Sequence, residues 1–144
     1  MKENKGYIKE YELLYGELEF EGEYLNGKRN GKGKEYYYNN KLRFEGEYLN
    51  GQIWNGKGYD PFNNIVYELK DGKGLIKDYN NKNKLSFEGE YLNGKRNGKG
   101  KEYANDEKIF FEGEYLNGKK WTGIILGKYE MKNGMVMDII KMVK

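Results

Sequence analysis

The sequence predicts an all-β chain of stacked hairpins that together form one long, twisted antiparallel sheet. Three observations predict it. The octet Phe20-Glu21-Gly22-Glu23-Tyr24-Leu25-Asn26-Gly27 returns unchanged at 44–51, 87–94 and 111–118. In the first copy and the residues just before it, Leu18, Phe20, Gly22 and Tyr24 alternate with Glu19, Glu21 and Glu23, as they do along a strand with one buried face. Finally, 21 glycines stand against a single alanine, and each interior Gly costs a helix about 1 kcal/mol relative to Ala.

The elements follow in order. Gly6-Tyr7-Ile8-Lys9-Glu10-Tyr11 aligns with Gly31–Tyr36 and Gly74–Tyr79, so 6–19 reads as the second half of a unit, and the array is entered mid-unit. Full units occupy about 20–43, 44–66, 67–86, 87–110 and 111–127, with Tyr67 taking the place of Phe in the middle one, Ile65-Val66-Tyr67-Glu68-Leu69. Each unit is two strands joined at Asn-Gly, a pair that tolerates positive φ at a tight turn. The returning strand reads as Gly31–Tyr38 in the first unit. Its glycines and Tyr36 have opposite parity, which predicts a bulge. Two units read as carrying an extra residue before their glycine pair, at Gly51–Gly56 and Gly118–Gly123. The segment 128–144 departs from the repeat and reads as a capping hairpin around Asn133-Gly134. Met135, Val136, Met137, Ile139 and Ile140 are suited to close an apolar end, and Ile139–Lys144 reads alternatively as a short amphipathic turn.

Composition narrows the function. Leu, Ile, Val and Phe supply only 30 of 144 residues, near the border below which chains fail to bury enough apolar surface to order. The 15 tyrosines and the net charge of only +3 point instead to a folded domain with an aromatic core. There is no His and no Cys, one Ser (Ser86) and one Thr (Thr122). Ser-His and Cys-His nucleophilic pairs are therefore excluded, as are thiolate-imidazole zinc sites and disulfides. Carboxylates abound, but they recur in every unit and none is singled out, so no enzyme activity and no cofactor are expected. The amino terminus lacks an apolar leader segment. The longest aliphatic run is Ile124-Ile125-Leu126, far short of a membrane span. A cytoplasmic protein is the expectation.

Phe20-x-Gly22-x-Tyr24-x-x-Gly27-x-x-x-Gly31-x-Gly33, repeated from Phe87 to Gly100, resembles the MORN repeat, over about residues 6–127. The resemblance implies a single-layer antiparallel β solenoid of stacked MORN-type hairpins, a non-enzymatic scaffold that associates with proteins and, in some members, with anionic phospholipids. It implies a peripheral place at a membrane or the cytoskeleton, and frequent dimers.

Two sets of candidate contact residues follow. Tyr24, Tyr48, Tyr91 and Tyr115 form, with the phenylalanines, an aromatic ladder that serves as core or, where rings stay exposed, as a protein-contact face. Trp54 and Trp121 sit at equivalent places and either fold back on the next unit or anchor a partner. Lys28, Arg29, Lys95, Arg96, Lys119 and Lys120 fall along one edge of the array and are the candidate lipid-headgroup residues. With three arginines and a pI of 8.7, nucleic acid is not an expected partner. An unidentified protein partner, an anionic membrane surface, and a weak homodimer through the strand edge at Gly6–Tyr11 are the expected associations.

Overall fold

The computed structural model describes residues 3–126 and 129–138. Thirteen strands follow one another as an antiparallel meander: β1 Lys5–Tyr11, β2 Leu18–Leu25, β3 Lys28–Tyr36, β4 Leu42–Leu49, β5 Gln52–Tyr59, β6 Ile65–Leu69, β7 Gly74–Tyr79, β8 Leu85–Leu92, β9 Lys95–Tyr103, β10 Ile109–Leu116, β11 Lys119–Ile125, β12 Tyr129–Lys132 and β13 Met135–Asp138. No helix longer than the single 3₁₀ turn Tyr38–Asn40 occurs among the described residues. The expected all-β stack of hairpins is what forms.

At one end of the strands, each hairpin turns on two residues of positive φ, from Asn26 (50°) and Gly27 (81°) to Asn133 (50°) and Gly134 (80°). These turns are stitched to one another. The Gly51 N–H donates to the Arg29 carbonyl at 2.8 Å, Gly72 to Trp54 at 2.8 Å, Gly94 to Gly72 at 2.9 Å, Gly118 to Arg96 at 2.8 Å and Gly134 to Trp121 at 2.7 Å. Asn30, Asn55 and Asn97 add a side-chain bond each, their Oδ1 atoms accepting from the N–H of Asn50, Asp71 and Asn117.

The core lies on one face. Phe20, Phe44, Phe87 and Phe111 are wholly buried, and tyrosines interleave with them. Tyr48 meets Phe20 and Phe44 edge-on at 5.2 and 5.6 Å; Tyr115 meets Phe87 and Phe111 at 5.5 and 5.4 Å. The paired glycines make this possible, because Gly22 faces Gly33, Gly46 faces Gly56, Gly89 faces Gly100 and Gly113 faces Gly123. A Cβ on Gly33 would lie 2.7 Å from the Phe20 ring and 2.9 Å from that of Tyr48. The rings rest on bare backbone.

Two expectations need correction. The sheet is not continuous: β1–β6 form one sheet and β7–β13 another. The register Gly56 to Leu69 and Gly58 to Tyr67 confirms that Tyr67 stands where other units have Phe. It also puts Leu69 in the place of a glycine. Ile76 likewise takes the place of Gly33, pairing with Gly89 as Gly33 pairs with Gly46. Two buried branched side chains replace a glycine pair, so β6 and β7 splay and only Lys70 and Lys73 bridge them. Leu69, Ile76 and Tyr67 fill the gap within the first core cluster, and Tyr91 packs against both that cluster and the one formed by Phe87, Phe111 and Tyr115.

The second correction concerns the bulges. In β3 the register slips between Gly22–Gly33 and Tyr24–Arg29, and the returning strand begins at Lys28, earlier than expected. Gly31 has φ of 100°, and the Glu23 carboxylate folds over it to accept the Lys32 N–H at 2.6 Å. Glu90, Gly98 and Lys99 repeat this. In β5 and β11 the pairing aligns Gly56 and Gly123 with Gly33 and Gly100. Those segments are therefore one residue shorter, not longer; by spacing alone Gly56 lines up with Gly31, and only the register pairs it as Gly33. The terminal hairpin β12–β13 turns at Asn133-Gly134 as expected, with Met135 and Val136 exposed. Ile139–Lys144 lie outside the described residues.

Candidate functional site

Strand alternation gives the sheets two faces with different chemistry. On the ring face, Arg29 lies over Phe20, its guanidinium carbon 4.1 Å from the ring centroid. It bonds the carboxylates of Glu10 and Glu35, the latter at 2.9 Å. Glu10 also accepts the Tyr24 hydroxyl, and Glu35 accepts that of Tyr48 at 3.0 Å. Arg96 repeats the arrangement 3.9 Å over Phe87, beside Glu102 at 3.6 Å, which in turn accepts from the Tyr115 hydroxyl and from Lys120. Burial alone would raise the Glu10 and Glu102 carboxyls. The hydrogen bonds and positive charges around them win, and both are held below the ordinary range. Burial, together with the neighbouring carboxylate, pushes the Tyr48 and Tyr115 phenols up.

The ladder tyrosines thus divide. Tyr48 and Tyr115 are 3% and 4% exposed, while Tyr24 and Tyr91 are half-buried. Trp54 is half-buried beneath the next turn, with its ring 2.7 Å from where a Gly72 Cβ would lie. Trp121 packs likewise under Gly134 but remains 38% exposed.

The basic candidates divide as well. Arg29 and Arg96 turn inward to the rings, and Lys120 pairs with Glu102 at 2.9 Å. Lys28, Lys95 and Lys119 stand exposed beside their turns and have no ion pair among the described residues. Lys73, which sequence reasoning missed because its unit is degenerate, holds the same place after Gly72 and is also exposed. The signal was there in the Asp71-Gly72 turn.

The opposite face carries rows of alternating charge. Lys77, Glu88, Lys101 and Glu112 lie abreast across β7–β10, with Lys101 3.7 Å from Glu112. In the first sheet Lys9 and Glu21, and Lys34 and Glu45, are each 4.0 Å apart. Exposed pairs of this kind contribute only about 0–1 kcal/mol each. Between the rows of the second sheet runs a groove of about 720 Å³, floored by the backbone of Gly89, Gly100 and Gly113 and walled at one end by Val66 and Leu75. Nothing in the sequence pointed to it, because it depends on which residues the register sets abreast across β7–β10.

Tyr36 and Tyr103 flank these rows, donating to Glu21 at 2.8 Å and to Glu88 at 2.5 Å. Burial and the adjoining carboxylate push both phenols up to about 12. A phenol raised in the folded state stabilises the fold fully below its unfolded value, near 10. That contribution is lost as pH rises through the folded value. Tyrosinate absorbance is therefore expected to grow in two classes, the later one shrinking in Tyr36→Phe/Tyr103→Phe.

Residues 20–41 and 87–107 each match the family model for the MORN repeat. The search of curated proteins and that of solved structures returned no match. The MORN repeat is a non-enzymatic module generally associated with protein and membrane-lipid interaction. The two matched segments span β2–β3 and β8–β9, and the same Phe-Gly-Tyr register recurs in β4–β5 and β10–β11; the chain carries MORN repeats at 20–41 and 87–107.

Proposed function

We propose that the chain is a non-enzymatic protein-interaction module that holds a partner segment in the groove on the outer face of the second sheet. The observation that carries this reading is the groove itself. Most of the outer surface consists of well-solvated Lys and Glu, whereas here Leu75 stands exposed beside Val66 over a bare glycine floor. Apolar area that a free chain leaves in water is the usual mark of a contact surface, and the flanking lysines and glutamates supply the polar rim such surfaces have. The ring face serves as scaffold, with the half-buried Tyr24 and Tyr91 and the exposed edge of Trp121 as secondary contacts. Capture of partners from the native cell is expected to be abolished by Leu75→Ser/Lys99→Ser. Equal capture by wild type and variant rejects the groove.

A second reading rests on a separate observation, the exposed lysines 28, 73, 95 and 119 beside stacked turns. Such a row attracts an anionic bilayer by about 1 kcal/mol per basic residue near the surface, which supports a peripheral association with an anionic membrane. Co-sedimentation with acidic vesicles is expected to fall with added salt, since exposed charges are screened within about 8 Å at physiological ionic strength. It is expected to drop further in Lys28→Ser/Lys95→Ser/Lys119→Ser, which leaves the ring-bound Arg29 and Arg96 in place. No binding to acidic vesicles, or equal binding to neutral ones, discards this reading.

A further inference from the structure

The loop joining β1 to β2 displays the most exposed apolar side chains of the described residues: Leu13 is 101% exposed, Leu14 82% and Tyr15 75%. The loop is firmly built. The Glu12 carboxylate accepts the N–H of Leu14 at 2.8 Å, that of Tyr15, and that of Glu17 at 3.3 Å. Backbone bonds from Glu12 to Glu17 and from Gly16 to Glu12, at 2.8 and 3.1 Å, close it. Ordering cost has thus been met before any contact is made, which favours binding. The loop at 60–64 uses the same device, Asp60 accepting from Phe62 and Asn64, and that at 80–84 uses Asn80. Apart from Phe62 their tips are polar. Two adjacent leucines held out into water by a purpose-shaped turn, beside a Tyr15 ring that meets Tyr38 edge-on at 6.5 Å, call for a receptor.

The molecule itself contains a surface of matching chemistry. The groove on the second sheet offers Val66 and Leu75, and its Lys77 and Lys99 have no ion pair among the described residues. The loop brings apolar tips together with the Glu12 carboxylate at its base, and the exposed Glu19 follows just beyond it on β2. We propose that the occupant of the groove is the 12–17 loop of a second copy of this chain. Leu13 and Leu14 cover Val66 and Leu75, while Glu12 and Glu19 meet Lys77 and Lys99. This rests on the groove being the binding surface, as argued above. An anionic bilayer suits the loop less well, because hydrogen bonds from three backbone N–H groups hold the Glu12 carboxyl charged at the base of the tip.

The contact joins unlike surfaces. Two copies close it reciprocally, each loop in the other's groove, or successive copies extend it into a chain. Sedimentation equilibrium from low to high micromolar concentration is expected to show a mass rising above 17.0 kDa. Leu13→Asp/Leu14→Asp and Leu75→Ser/Lys99→Ser should each weaken association at least about tenfold, equal to about 1.4 kcal/mol. All four positions are exposed, so circular dichroism and melting should match wild type. An equimolar mixture of the two variants should form a one-to-one complex, because one intact loop then meets one intact groove. A wild type that stays monomeric, variants that associate as wild type does, or a mixture that stays monomeric overturns the proposal. So does neutral-vesicle binding lost only in the leucine variant, which assigns the loop to a bilayer. A monomeric wild type whose partner capture still depends on Leu75 and Lys99 rejects the second copy alone and keeps the groove.

Discussion

Replacing Phe44 by Ala is expected to cost about 3–5 kcal/mol, a large part of the roughly 5–15 kcal/mol that holds a domain together. Phe44 is 1% exposed, meets Tyr48 edge-on at 5.6 Å and stacks on Tyr67 at 6.4 Å. It therefore links the regular rings of the first sheet to the residues that fill the split. Because the cavity is walled by rings resting on glycine backbone, little can collapse into it. Urea denaturation should show the loss as a lower midpoint with an unchanged slope. Phe62→Ala, on an exposed loop tip, should stay within about 0.5 kcal/mol. A Phe44→Ala loss no larger than that of Phe62→Ala would mean the aromatic ladder is not the core.

Gly46→Ala should be as damaging as a ring deletion although it adds one methyl. The new Cβ would lie 2.0 Å from the Asn55 carbonyl oxygen and 2.6 Å from the Gly56 Cα. Both obstacles are backbone of the paired strand, so no side chain can swing aside. Overpacking typically costs about 1–3 kcal/mol, and a clash with a fixed ladder belongs at or beyond the upper end. Gly6→Ala is the internal comparison, because nothing lies within 4 Å of its added Cβ. If both variants melt alike, the glycine pairs are not steric requirements. The same geometry explains why Leu69 cannot be read as a neutral departure from the repeat: it removes one such pair and the sheet opens there.

Much of this was legible in the sequence, and for a physical reason. Period-2 alternation around Phe20, Phe44, Phe87 and Phe111 placed the buried face, and Asn-Gly marked five of the six tight turns, because both signals are local. Register within the hairpins was less accessible. The spacing of Gly51 and Gly56 looked like an insertion, since a bulge of two residues and one of one residue differ only in what the partner strand faces. Long-range consequences were out of reach. The sequence places Arg29 and Arg96 beside equivalent turns, but only the fold shows each guanidinium over a ring and paired with carboxylate, Arg29 with Glu10 and Glu35 and Arg96 with Glu102. The Glu12 loop gives no periodic signal, so the exposure of Leu13, Leu14 and Tyr15 is visible only in the fold. The groove depends on the register of four strands, which no local pattern reveals.

The split between β6 and β7 has a mechanical consequence. Strands lie across the array, so their ladder bonds point along its length. A pull on the two ends stretches one ladder after another in series instead of shearing them together. The joint that yields first is the one with the fewest bonds, and there Lys70 and Lys73 alone bridge the strands, backed by Leu69, Ile76 and the Arg43–Asp78 pair at 3.5 Å. In a stacked array stability is approximately a sum of neighbour terms, so parting at that joint leaves a six-stranded and a seven-stranded piece each still folded. Under tension the molecule behaves as two stiff plates on a tearable seam, lengthening in one step before either plate unravels.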